Sequence, residues 1–329
     1  MTLTPCETGF LSDPDNFTFI YHILTCLEVI INSYGAYCII FKTPAKMSSV
    51  KWLMLRMHLI GSVLDVFISL ITMPYLYFPA VAGMPIGLWY SPAFQTYFIV
   101  TMLSVVGVST FSIFENRYFI LFGKNTQWAE YRIPFLVFSH ALAAVFFIPT
   151  TLTIPDQKIA VSVITELLPC KPKFVINGSQ LFIVAIDYSS FVYSIGGMML
   201  FVVITGLFFV FRLLSKLHSQ HTTSTSSKKT SELQKKLALA LIVQTVLPFL
   251  VIIFPAMYMM LSIRLKYYNQ TANCIIMLLF AMHGVSATVI MIFIHEPYRD
   301  VTLQPFYRLM RNEERQLPEA NGPAAVSIV

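Results

Sequence analysis

Residues 188–211, YSSFVYSIGGMMLFVVITGLFFVF, contain no lysine, arginine, aspartate or glutamate. A helix needs roughly 20 mostly apolar residues to cross the hydrocarbon core of a bilayer, so this run has the length for one crossing. Charge-free runs of similar length cover three more segments, residues 133–155, 237–263 and 267–295. Residues 17–41 form another candidate, which only Glu28 interrupts.

The longest charge-free run, residues 66–114, is too long for a single crossing. Proline and glycine break it between residues 79 and 92, so it holds the end of one span, an outer turn and the start of the next span. Long continuous runs do not resemble the short alternating strands of a membrane barrel. The sequence therefore predicts an all-α bundle of seven transmembrane helices near residues 17–41, 52–78, 93–121, 133–155, 187–213, 237–262 and 272–295.

The composition of the whole chain supports a membrane protein. Hydrophobic residues make up 56% of the 329 residues and charged residues only 12%, whereas soluble domains carry about 25% charged residues. The net charge of +6 would suit nucleic acid, but the charges lie in short clusters between apolar runs. Such clusters are typical of inner loops that face anionic lipid. We expect a lipid bilayer as a partner and no nucleic acid.

The positions of lysine and arginine predict the orientation, because these residues concentrate in cytosolic loops. With the N-terminus outside, sixteen of the 22 lie in inner segments and five in outer loops. We therefore place the tail of residues 1–16 outside and the tail of residues 298–329 in the cytosol. Asn177 and Asn269 each begin an Asn-x-Ser/Thr sequon in an outer loop, and they are the predicted glycosylation sites.

The chain shows none of the common enzyme, phosphate-loop or dinucleotide motifs. We predict no catalytic residue, no cofactor and no metal site. A seven-span chain of this kind either transports a solute or transmits a signal. A secondary transporter and a ligand-gated cation channel subunit remain alternatives, although no internal repeat supports the first and the charge asymmetry opposes the inverted orientation of the second.

The inner end of span three reads Glu115-Asn116-Arg117-Tyr118. Arg117 can extend to the interface or turn inward to meet carbonyl groups of a cytosolic partner. Glu115 can restrain Arg117 as an ion pair in a resting state. The alternative is that both charges only mark the end of the helix, and the spacing alone does not decide between the two interpretations.

Several polar residues lie inside the predicted spans, namely Glu28, Asp65, Gln244 and His283. A charge at the centre of a bilayer costs roughly 2.5–3.5 kcal/mol, so such groups face protein or water. Asp65 is either a functional site or a structural hydrogen-bond hub. Glu28 is a candidate partner of His283, whereas His58 lies nearer a span end and is expected at the interface.

Pro248 and Pro255 are seven residues apart, which places them on the same face of span six. Each removes a backbone hydrogen bond, so the pair forms either a hinge or a static kink.

Helix geometry also predicts an aromatic, mostly apolar pocket between the outer ends of the spans. If Arg117 faces the bundle, steps of three and four residues along span three select the residues that share its face. With residues from the outer ends of spans five, six and seven, the predicted lining is Gln95, Ile99, Leu103, Val106, Asp187, Tyr188, Phe191, Tyr258 and Asn273. Alternatively, each of these residues only packs against a neighbouring helix and contacts no ligand.

The C-terminal tail carries two weaker signals. Apolar and basic residues alternate over 298–311, which predicts a short amphipathic helix on the inner leaflet. The last three residues, Ser327-Ile328-Val329, can be recognised by a PDZ domain through strand addition, although so short a match also arises by chance.

An ordered set of short matches along about residues 20–300 resembles the nematode serpentine chemoreceptors of class H, within the rhodopsin-like G-protein-coupled receptors. The pieces are Lys42-Thr43-Pro44-Ala45-Lys46-Met47, Glu115-Asn116-Arg117-Tyr118, Pro155-Asp156-Gln157, Leu168-Pro169-Cys170, Gln244 with Pro248, His283-Gly284 and Pro297-Tyr298-Arg299. Where many receptors end span seven in Asn-Pro-x-x-Tyr, this chain has His295-Glu296-Pro297-Tyr298.

The resemblance implies a chemosensory receptor that binds an odorant or soluble chemical outside and activates a heterotrimeric G protein inside. It implies the plasma membrane as location, in the sensory cilium of chemosensory neurons. By position, Arg117 would face the G protein with Glu115 as its resting partner. Span three has no cysteine at its outer end, so the disulfide common in such receptors cannot form, and we expect Cys170 to pair with Cys6 instead.

Overall fold

The computed structural model describes residues 9–44, 48–168, 170, 175–176, 179–223 and 228–305. Several predictions concern positions outside these ranges, namely those on Cys6, on Asn177 and on residues 306–329. The side chain of Gln244 is also outside the described set.

Helices dominate the described part of the chain. They are α1 (Pro14–Lys42), α2 (Ser48–Val66), α3 (Pro92–Tyr118), α4 (Trp128–Val145), α5 (Ile148–Leu152), α6 (Gln157–Leu167), α7 (Ser189–Thr223), α8 (Lys228–Leu265), α9 (Gln270–Ala281) and α10 (His283–Ile294). Single π-helical segments extend α2 over Phe67–Thr72 and α3 over Phe119–Gly123. Residues 296–305 are also helical.

Within the described residues, six helical stretches are long and apolar enough to cross a membrane, and α9 with α10, which meet at a bend of 47°, make a seventh when the pair is taken as one span. This number confirms the predicted seven-helix bundle. Many large apolar side chains on the outside of the bundle are exposed, such as Leu200, Leu207 and Phe211 of α7. An apolar exterior of this extent is expected where the surrounding medium is lipid.

Local sequence explains where the first span begins and ends. The Asp13 carboxylate accepts hydrogen bonds from the backbone N–H groups of Asp15 at 3.1 Å and Asn16 at 3.3 Å, and Pro14 occupies the first helical position. The helix ends at Lys42 because Thr43 precedes a proline and adopts an extended conformation.

The outer turn between α2 and α3 is more ordered than the sequence predicted. Strands β1 (Pro74–Leu76) and β2 (Val81–Pro85) form an antiparallel hairpin, and β5 (Phe182–Ala185) from the next outer loop pairs with β2. Gly83 permits this pairing, because a Cβ at that position would overlap Tyr75 and Leu76 of β1. A second, two-stranded hairpin joins β3 (Val175–Ile176) to β4 (Ser179–Gln180).

The third span is the central one. α3 contacts α2, α4, α7 and α8, and its inner half is almost fully buried. α3 therefore runs from the outer loop that follows β2 to the inner surface of the bundle.

Candidate functional site

A cavity of about 200 Å³ lies between α3, α7, α8 and α9. Residues of β1, β2 and β5 contribute to its lining, so the outer sheet forms part of its wall. The helical lining includes Ile99 and Leu103 of α3, Met199 of α7 and Ile252 of α8.

The cavity is nearly devoid of polar groups. None of its lining residues carries a charge, and the side chains with hydrogen-bonding atoms are Thr72, Gln95, Thr96 and Ser104. The Gln95 amide is already used, because its Oε1 accepts from the Ser91 N–H at 3.1 Å and its Nε2 donates to the Trp89 carbonyl at 2.7 Å. Since a charged ligand would be left without a partner here, the cavity suits an uncharged, mostly apolar molecule.

The predicted pocket residues divide into two groups. Gln95, Ile99, Leu103 and Phe191 line the cavity, whereas five others lie elsewhere, namely Val106, Asp187, Tyr188, Tyr258 and Asn273. The position beside Val106 on α3, Gly107, lines the cavity instead.

Three of the residues outside the cavity have structural contacts of their own. The Tyr258 hydroxyl donates to Asn273 Oδ1 at 3.3 Å, and Asn273 Nδ2 donates to the Phe78 carbonyl at 3.0 Å. These bonds tie α8 and α9 to the first outer loop. Asp187 is exposed before α7, and the Ser189 backbone N–H, 3.0 Å from its carboxylate, lowers the pKa of Asp187.

The expected ion pair between Glu115 and Arg117 is absent from the described structure, and Glu115 has different partners. Its fully buried carboxylate accepts from Arg132 Nε at 2.9 Å and from Trp128 Nε1 at 2.8 Å, both on α4. The physical reason is the spacing, because two residues advance a helix by about 200° and place the side chains on opposite faces. The prediction of a Glu115–Arg117 pair was therefore wrong for this conformation.

Arg117 is buried at the inner end of α3. Its side-chain Nε has no hydrogen-bond partner within the described residues, and only 9% of the residue is exposed. The next residue, Tyr118, accepts a hydrogen bond from Arg212 Nη2 of α7 at 3.2 Å. No salt bridge joins Arg117 to an acidic side chain in the described part of the chain.

Asp65 lies at the centre of a polar cluster between α1, α2 and α10. Its Oδ1 accepts from the Gly284 N–H at 3.0 Å and its Oδ2 from Asn32 Nδ2 at 3.2 Å. Asn32 Oδ1 in turn accepts from Thr288 Oγ1 at 2.8 Å. The sequence analysis missed Asn32 and Thr288, although an asparagine inside an apolar span is itself a signal.

Two histidine predictions need correction. His58 is not at the interface, because its Nε2 lies 2.8 Å from the Asn32 carbonyl inside the bundle. The Glu28–His283 pair is also absent, since Glu28 Oε2 accepts from Ser69 Oγ of the π-helical segment that follows α2. Glu28 Oε1 and His283 Nδ1 are buried without a hydrogen-bond partner in the described part of the chain.

The inner end of span seven is anchored to α1. Tyr298 is fully buried, and its hydroxyl lies 2.7 Å from Thr43 Oγ1. One turn later, Thr302 Oγ1 lies 2.9 Å from the Tyr34 hydroxyl. The predicted amphipathic segment is helical up to residue 305. Arg299 Nε lies 3.9 Å from Asp300 Oδ1 in an exposed ion pair, which contributes little to stability.

The cysteines and the outer sequon can be placed in part. Cys170 is disulfide-bonded, whereas Cys26, Cys38 and Cys274 are free. Asn269 caps α9, because its Oδ1 accepts from the Ala272 N–H at 3.0 Å. Within the described ranges, no group of three or more His, Cys, Asp or Glu side chains is placed to hold a metal ion.

The matches to known proteins extend over most of this chain. The family described as "Serpentine type 7TM GPCR chemoreceptor Srh" matches residues 12–308. "Serpentine receptor class H-72" of Caenorhabditis elegans is 23% identical over 309 residues, which cover 91% of this chain and 88% of that protein.

Proposed function

Because the chain belongs to the Srh family of serpentine seven-transmembrane chemoreceptors, we propose that it binds a small chemical in the outer cavity and then activates a heterotrimeric G protein. The family is one of receptors and not of enzymes. The chain is accordingly a chemosensory, multi-pass membrane receptor. The observation that carries the more specific proposal is the charge-free cavity between α3, α7 and α8 beneath the outer sheet.

The cavity limits the chemistry and size of the proposed ligand. An apolar cavity of about 150 Å³ in another protein stays dry and binds benzene, and the cavity here measures about 200 Å³. The ligand would therefore be uncharged, mostly apolar and of the size of a single ring or a short chain. Its binding would come mainly from the apolar surface that it removes from water.

In this proposal, α8 transmits the effect of ligand binding to the inner surface. Pro248 and Pro255 are both buried within this helix. Five residues of α8 that lie between these prolines or just after the second one line the cavity, namely Phe249, Ile252, Ile253, Ala256 and Met259. A ligand that fits one bend of α8 better than another would shift the population toward that bend. The inner end of α8 would then move relative to Arg117 of α3.

Arg117 is the proposed contact with the G protein. A guanidinium presents five N–H donors and suits backbone carbonyl groups of an inserted partner segment. Among the described side chains, no acidic group forms an ion pair with Arg117. The proposal places the receptor in the plasma membrane, in the sensory cilium of chemosensory neurons. The C-terminal PDZ motif gains no support from the relatives and is not part of it.

Two neighbouring residues of α7 allow a matched test of the cavity. Met199 lines it, whereas Leu200 is 59% exposed on the outside of the bundle. Cells with a promiscuous G protein would be screened by calcium response with uncharged and with charged small molecules. We expect responses to uncharged, apolar compounds.

For such a compound, Met199→Trp should raise the half-maximal concentration at least about tenfold, equivalent to about 1.4 kcal/mol. Leu200→Trp should leave it unchanged at the same surface amount. Equal half-maximal concentrations in the two variants would show that the ligand does not bind in this cavity. Uptake or current that needs no G protein would instead favour the transporter or the channel.

A further inference from the structure

Five side chains close the inner ends of α3 and α4 against each other, and we refer to Glu115, Asn116, Phe119, Trp128 and Arg132 as the α3–α4 clamp. Arg132 makes three of its contacts. Its Nε donates to Glu115 Oε1 at 2.9 Å, its Nη2 donates to Asn116 Oδ1 at 2.8 Å, and its guanidinium carbon lies 4.1 Å from the centre of the Phe119 ring.

The carboxylate of Glu115 is satisfied entirely from α4. Trp128 and Arg132 are four residues apart, so they share one face at the start of that helix. Trp128 Nε1 donates to Oε1, and Arg132 Nε lies within 3.1 Å of Oε2 as well. Both oxygens are therefore directed to α4, on the side of α3 opposite to Arg117.

The clamp also determines where the second inner loop lies. The loop consists of residues 124–127, all exposed, between the π-helical end of α3 and the first turn of α4. Clamp residues flank it on both sides, with Phe119 before it and Trp128 directly after it. The clamp residues therefore lie in the two helical segments that the four-residue loop connects.

We propose that Glu115 works with Arg132 as a positioning pair that presents the second inner loop to the G protein, and that Glu115 does not restrain Arg117. The coupling part of this proposal rests on the proposed function. The pairing part does not, because it concerns which of two arginines stabilises a buried carboxylate.

Loss of Arg132 should be costly because Glu115 is fully buried. A buried ion pair that loses one partner leaves an uncompensated charge, whereas replacing both partners by neutral groups is often tolerated. The pair therefore predicts strong non-additivity between substitutions at Glu115 and Arg132. A restraint on Arg117 predicts non-additivity between Glu115 and Arg117 instead.

Two double-mutant cycles on the purified full-length receptor in detergent separate these possibilities. The first combines Glu115→Gln with Arg132→Gln, and the second combines Glu115→Gln with Arg117→Gln as the matched control.

We expect Arg132→Gln to lower the melting temperature by at least about 5 °C. The first double variant should recover most of that loss, and the second cycle should be additive. Additivity in the first cycle, or recovery in the second, would overturn the pairing. If Arg132→Gln does not fold, Arg132→Lys replaces it in the same cycles. This variant keeps the positive charge but loses the contact with Asn116, so it should lower the melting temperature by a smaller amount.

Signalling provides an independent readout of the coupling role. We expect Glu115→Gln and Arg132→Gln each to lower the maximal response per surface receptor, because either change breaks the positioning pair, and neither should raise ligand-independent signalling. The double variant should stay low although it regains stability, because it also lacks the contacts of Arg132 with Asn116 and Phe119. A several-fold rise of ligand-independent signalling in Glu115→Gln would show a restraint on Arg117 and overturn the proposal. A parent that signals through no G protein would contradict the proposed function, and the melting cycles would still decide which arginine pairs with Glu115.

Discussion

Gly284 lies directly against the carboxylate of Asp65. A Cβ added at this position would overlap the carboxylate, whose Oδ1 also accepts the Gly284 N–H. We expect Gly284→Ala to break the polar cluster at a cost of ~1–3 kcal/mol or more, since overpacked buried sites relax poorly. The measurement is the surface amount and the melting temperature of the purified receptor.

Gly196 of α7 is the control for this substitution. A Cβ there would meet nothing within 4 Å, so Gly196→Ala should leave both quantities unchanged or slightly raised. If Gly284→Ala behaves like Gly196→Ala, the close contact between Asp65 and span seven does not contribute to stability.

At the residue scale, the sequence identified polar residues better than it identified their partners. Glu28, Asp65 and His283 are all buried, as their positions inside apolar runs predicted. Their partners depend on helix rotation, which one sequence does not specify. Ser69, which binds Glu28, lies in the π-helical segment that follows α2, and Arg132 reaches Glu115 from another helix.

At the scale of a helix, we expect the two prolines of α8 to allow the bend that transmits ligand binding. Replacing Pro255 by alanine restores a backbone N–H that can bond to the carbonyl of residue 251, so the helix should stiffen next to the cavity. We expect Pro255→Ala to lower the maximal ligand-induced response several-fold at the same surface amount. The measurement is calcium response divided by surface tag signal.

Leu261 lies on the same helix, is 54% exposed, and serves as the control position. Leu261→Ala changes the side chain without adding a backbone donor, and it should leave the response as it is. An unchanged response of Pro255→Ala would identify the bend as static and would remove the hinge from the proposed mechanism.

Other elements show where prediction from sequence stops. The long charge-free runs predicted the spans, because about twenty consecutive apolar residues seldom occur outside a membrane-spanning helix. The outer sheet was missed because β1, β2 and β5 have three to five residues each, and β2 pairs with a strand about 100 residues further along the chain. Its contribution to the cavity, for example through Met84 and Val184, was missed for the same reason.

The orientation of the whole molecule can be tested by glycosylation. We expect a glycan on Asn177, and less on Asn269, whose side-chain Nδ2 already donates to the Tyr267 hydroxyl at 3.3 Å. Asn177→Gln should therefore lose most of the mobility shift that a glycosidase removes from the parent. Gln127→Thr creates a sequon at Asn125 in the second inner loop, and this variant should gain no glycan. A glycan on Asn125 would contradict the assigned orientation.

The central claim concerns the molecule as a whole, since a ligand in the outer cavity must act on Arg117 at the other end of α3. The most direct measurement compares the parent with Arg117→Ala, both with an N-terminal epitope tag, in cells that carry a promiscuous G protein. Arg264→Ala, an exposed site at the outer end of α8, is the charge-matched control. We predict tag staining on unpermeabilised cells for all three and a ligand response that only Arg117→Ala loses. A full response of Arg117→Ala at the same surface amount, or a tag that is visible only after permeabilisation of cells that display the receptor, would contradict the account.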